Sequence, residues 1–90
     1  MEEKIKSFLT ELGIDLNSYE MEKGCSTDIV ELYLLKDKNY PSIEAFAAKQ
    51  DTVIGIYNPY KYLIMYFKES NMCHVIDQKA NKRVGKAVLN

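Results

Sequence analysis

Residues 52–67, TVIGIYNPYKYLIMYF, constrain the fold more than any other part of this chain. Apolar side chains alternate there with a period of two, the spacing of a strand, and Asn58-Pro59 interrupts the run in the middle. Two strands joined by a hairpin are therefore expected. Pro59 cannot adopt positive φ, which excludes the tight primed turns and calls for a loop of about four residues. With that loop Tyr57 stands opposite Tyr62, Gly55 opposite Ile64 and Val53 opposite Tyr66. The other side of the hairpin then carries Ile54, Ile56, Leu63, Met65 and Phe67, an unbroken apolar face expected to lie beneath helices.

Four of the seven tyrosines fall in this segment. A tyrosine joins a flat apolar body to a polar tip, so a sheet face of Tyr57, Tyr62 and Tyr66 around Ile64 suits a surface that binds a partner. The same pattern also suits half-buried sheet tyrosines with wet hydroxyls, a common use of the residue in β structure.

The rest of the second half continues the period of two. Strands are expected at 52–58, 61–68, 72–77 and 83–89, an antiparallel meander of about four. The first half reads as helical. Ile5, Phe8, Leu9 and Leu12 form one apolar stripe, Glu2 and Glu3 suit the first turn, and Gly13 with Ile14 suits a Schellman ending, so a helix spans about 2–12. Asn17 and Glu20 have capping-box spacing and Gly24 can end a helix between them. Residues 29–36, IVELYLLK, suit either a helix behind the caps of residues 26–28 or a buried strand; helix is the expectation. Ser42 caps a further helix over 43–49, with Ile43, Phe46 and Ala47 inward. The chain is thus expected to be a single α+β domain, with helices on one face of the meander.

Charge divides along the same line. Residues 1–50 hold ten acids and six lysines, a balance of −4; residues 51–90 hold three acids and six bases, a balance of +3. The late bases Lys79, Lys82, Arg83 and Lys86 form a candidate basic patch around a turn. Together with the tyrosines they could hold nucleic acid, although a sequence pI of about 5.8 is unlike a dedicated binder. Dipolar charge of this kind orients partners and speeds their encounter.

Chemistry-bearing residues are few. Cys25 and Cys73 lack C-x-x-C spacing and read as free thiols. Cys73 and His74 are adjacent on an expected strand, so they point to opposite faces and cannot work as nucleophile and base. One histidine without clustered ligands gives no expectation of a metal, and no motif implies a cofactor or a catalytic residue. The opening Met1-Glu2-Glu3-Lys4 is unlike the basic start of a signal peptide, and the uncharged apolar run 62–67 is far short of a membrane span, so a cytoplasmic protein is expected.

The function these features imply is a small, non-enzymatic binding protein acting on a protein partner. In size and composition it resembles, in style, the accessory and inhibitor proteins of phages and mobile elements. The alternatives are a nucleic-acid-binding module built on the basic turn and the tyrosines, and a structural homodimer joined through the tyrosine face or the final strand.

Overall fold

The computed structural model describes residues 1–48 and 57–90. Its first element is the helix α1 (Glu2–Glu11), ended as the glycine signal predicts. Gly13 takes φ +84°, its N–H reaches the Thr10 carbonyl, and the Ile14 N–H reaches the Leu9 carbonyl at 3.1 Å, the two bonds of a Schellman motif.

A five-stranded antiparallel sheet follows in the order β1-β2-β3-β4-β5: β1 (Tyr19–Ser26), β2 (Val30–Asp37), β3 (Tyr60–Phe67), β4 (Met72–Asp77) and β5 (Lys82–Val88). The short helix α2 (Ile43–Ala48) lies between β2 and β3. The fold class is α+β, as expected, with five strands among the described residues where about four were expected.

The helix expected from Asn17 to Gly24 is instead a single 3-10 turn (Leu16–Ser18) running into β1. Asp15, not Asn17, supplies the cap, accepting from the Asn17 N–H at 3.0 Å. Beyond it Tyr19, Met21 and Lys23 alternate with Glu20, Glu22 and Gly24, and that period of two prevails. Residues 29–36 likewise form a strand. The capping residues ahead of them serve a hairpin: the Thr27 hydroxyl accepts from the N–H groups of Ile29 and Val30, both at 3.1 Å. Local capping signals are shared by helix starts and turns, and pairing on both sides decided between them.

The expected strand 52–58 lies outside the described residues except at its end, where Tyr57 and Asn58 are not in a strand. The hairpin register predicted for it does not hold, because both edges of β3 are taken. Tyr62, Ile64 and Tyr66 stand opposite Leu35, Tyr33 and Glu31 of β2, and opposite Asp77, Val75 and Cys73 of β4.

The core follows from α1. Ile5, Phe8 and Leu9 pack on Tyr33, Leu35, Ile64, Tyr66, Cys73 and Val75. This overturns the expected facing of β3: the tyrosine side is covered, and Leu63, Met65 and Phe67 are on the opposite side, half-buried. Tyrosine suits the covered face because its hydroxyl reaches the rim, where the Tyr66 hydroxyl donates to Asn71 Oδ1 at 2.6 Å. Gly85 gives α1 its seat on β5, since a Cβ there would run into the Leu12 side chain and come within 3.2 Å of the Phe8 ring. Ser42 caps α2 as expected, its Oγ accepting from the Ala45 N–H. Ile43 and Ala47 do not point inward, however; both are exposed, and Phe46 alone of the three is half-buried.

Candidate functional site

Ile64 is fully buried and Tyr66 is 5% exposed, so both belong to the core beneath α1. Tyr62 lies at the rim of the same face, edge-on to Tyr19 with ring centroids 5.6 Å apart, and the Lys61 ammonium stands 5.4 Å from its ring. Tyr57 is elsewhere. It packs edge-on against Tyr40 and Phe46 at 5.4 and 5.5 Å and donates its hydroxyl hydrogen to the Pro41 carbonyl. The expected open tyrosine face is therefore three core or rim residues plus one member of a separate cluster around α2.

The four bases also divide. Lys79 donates to the Asn58 carbonyl and stands 5.3 Å from the Tyr40 ring. Lys82 is opposite Asp77, on the side of the sheet that α1 covers, whereas Arg83 and Lys86 are opposite Ile76 and His74, on the other side. A register shift after Val75 lets Gly85 and Lys82 share the covered side.

That other side, too, is largely apolar among the described residues. Reading across the ladders, one row runs Glu22, Leu34, Leu63, Ile76, Arg83. The next row is Leu32, Met65, His74, Lys86, and a third is Val30, Phe67, Met72, Val88. All the apolar members on β2, β3 and β4 are half-buried, so each keeps part of its surface accessible, while Val88 at the edge is 51% exposed. The core cluster described above lies wholly on the opposite side. Sequence reasoning missed this surface by treating β2 as a helix. The signal was present in residues 32–35, LYLL, which are apolar on both faces of a strand.

The electrostatics follow from the same rows. Burial, and then the positive charges of Arg83 and Lys86, hold the His74 imidazole below its ordinary value, so it is an uncharged member of the apolar surface near neutral pH. The Phe67 and His74 rings meet edge to face at 5.6 Å. Toward the acidic edge, a hydrogen bond to Glu22 holds the Tyr60 hydroxyl above the ordinary tyrosine value. The covered face has its own polar rim. Asp77 receives the Lys61 ammonium at 3.0 Å and the backbone N–H groups of Lys79 and Ala80, and its carboxyl lies below the ordinary range chiefly through the bond from Ala80.

The two thiols differ in exposure. Cys73 is fully buried, and burial pushes it up to about 11, far from the thiolate form at neutral pH; Cys25 is free and exposed. Among the described residues no group of three His, Cys, Asp or Glu side chains could hold a metal ion, and no helix is long and apolar enough to cross a membrane. Shallow pockets border α1, one lined by Lys4, Phe8, Glu11 and Ala87 and another by Glu2, Lys6, Leu16 and Met21. Comparison with known proteins finds no family model that matches the chain, no matching curated protein and no matching solved structure.

Proposed function

We propose that this chain is a non-enzymatic binding module that docks a protein surface on the apolar face of its sheet that lies away from α1. The observation that carries the reading is the continuous half-buried patch of Leu32, Leu34, Leu63, Met65, Phe67 and Ile76 on the side away from α1. Patches of this kind, rimmed by charge, mark interaction sites. Charged groups at its ends, Glu22 on β1 and Arg83 and Lys86 on β5, would orient an approaching partner. A regulator or inhibitor would act in this way, by occupying a partner's surface, and two free cysteines suit work in the cytoplasm.

The test is Met65→Glu, which places a charge in the centre of the patch without entering the core. The variant should keep the wild-type circular dichroism spectrum and lose protein capture from cell extract. Binding of a generic oligonucleotide that falls steeply with salt and ignores Met65→Glu would transfer the function to nucleic acid and to the exposed bases.

A further inference from the structure

The open face is complementary to itself. Its charges stand at opposite ends of the rows, with Glu20 and Glu22 on the β1 edge and Arg83 and Lys86 on the β5 edge. Lys36 stands beside Glu20, so Glu22 is the acid at the end of the long apolar row, and Arg83 closes that same row. Consider a two-fold axis over β3, parallel to the strands, between two such faces. Rotation about it lays β1 of each copy over β5 of the other and keeps every row at its own level. Glu22 of each copy then meets Arg83 of the other, with Lys86 one row along, and Met65 and its neighbours pack about the axis. An axis perpendicular to the strands would instead set acid on acid and base on base, which opposes association.

From this complementarity we infer that the occupant of the open face is a second copy of the chain, held face to face as a two-fold dimer with the β1 and β5 edges crossed. The inference rests on the reading of this face as a docking surface and names its partner. The size fits. Five strands at ~4.8 Å spacing, and about seven residues at ~3.4 Å each, give a face of roughly 600 Å² before side-chain relief, against roughly 800 Å² a side in a standard interface. Stacked sheets pack about 10 Å apart with their strands within about 30° of each other, which leaves the row ends within reach. Two-fold dimers are also the commonest closed assembly, and a dimer of this kind would remove this apolar face from water.

Sedimentation equilibrium of the intact chain, from about 1 µM to about 1 mM, tests it. The expected result is a mass twice the 10.4 kDa of one chain. Met65→Glu should give a folded monomer. Glu22→Arg and Arg83→Glu should each weaken self-association about tenfold or more, and the two variants mixed should associate more tightly than either alone, because each supplies the charge that the other now lacks. A wild-type chain that stays monomeric throughout overturns the second-copy assignment. If Met65→Glu nevertheless abolishes capture of a different protein, the docking surface stands and only its occupant was wrong. If Met65→Glu alters neither mass nor capture, both readings fail. A dimer that ignores Glu22→Arg and Arg83→Glu, mixed or separate, also overturns the crossed arrangement.

Discussion

The two faces of this sheet are built from similar material and end in different chemistry. Beneath α1 lie Tyr33, Leu35, Ile64, Tyr66, Cys73 and Val75; on the far side lie Leu32, Leu34, Leu63, Met65, Phe67 and Ile76. Apolar content does not separate them. Their edges do. On the covered face the polar tips meet partners within the fold, Tyr66 with Asn71, Tyr33 with Glu31 and Asp77 with Lys61, and Gly85 leaves room for Phe8 and Leu12 of the helix segment. On the open face the long row ends in Glu22, which accepts from the Tyr60 hydroxyl, and in Arg83, whose side chain is exposed at the rim. A face becomes core where its polar ends are satisfied internally, and an interface where they are left for another surface.

Truncation should separate the faces most sharply. Ile64→Ala or Leu9→Ala removes a fully buried side chain and should cost about 3–4 kcal/mol in chemical denaturation. Leu63→Ala, one position along the same strand, should cost about 1 kcal/mol when measured on chain dilute enough to be monomeric, because it already keeps part of its surface in water. Equal costs at positions 63 and 64 would erase the distinction between the faces.

Next in size is the seat of the helix. Gly85→Val introduces atoms where Leu12 and Phe8 stand, and displacing them should cost about 1–3 kcal/mol. Val84 on the same strand is exposed, so Val84→Ala should cost under about 0.5 kcal/mol. Tyr66→Phe follows, with about 1 kcal/mol expected from the Asn71 acceptor left unpaired at the rim. A neutral Tyr66→Phe would mean that the hydroxyl is satisfied equally well by water.

Part of this arrangement was legible in the sequence. α1 was, because its apolar stripe and its glycine ending are local and agree with each other. So were β4 and β5, whose turns carry Asn71 and Asn81 at positive φ, a conformation that asparagine tolerates. The first two strands were not. Asn17, Glu20 and Thr27 offer hydrogen bonds that suit a helix start or a hairpin, and only the pairing of β2 with β3 settles the choice. The facing of β3 was hidden for a related reason. Alternation correctly groups Tyr62, Ile64 and Tyr66 on one side, but a period of two never says which side the helix takes. That depended on β2, which is apolar on both faces, and on the seat at Gly85. Tyr57 was grouped with the others through a hairpin that β2 and β4 displace.

The smallest expected effect is titration, and it too separates the faces. Asp77, at the rim of the covered side, has its carboxyl lowered by the Ala80 N–H and then by Lys61, against the opposing effect of burial. Its unfolded value is near 3.8. The stability it contributes is complete above that value and is lost as pH falls through the lower folded one, because the unfolded chain takes up the proton first. His74, on the open side, is lowered by burial and by Arg83 and Lys86 from an ordinary 6.5. Above 6.5 both states are neutral and nothing is at stake. As pH falls below 6.5 the unfolded chain gains a proton that the folded chain resists, so stability declines until the folded value is reached and then levels. Both groups destabilise the fold in acid, but in separate windows. His74→Gln should flatten the stability curve just below pH 6.5 and leave the decline below pH 3.8, while Asp77→Asn should do the reverse. Stability measured at closely spaced pH values for the three proteins checks this, and a decline below 6.5 that survives His74→Gln would show that burial on the open face does not hold the His74 imidazole down.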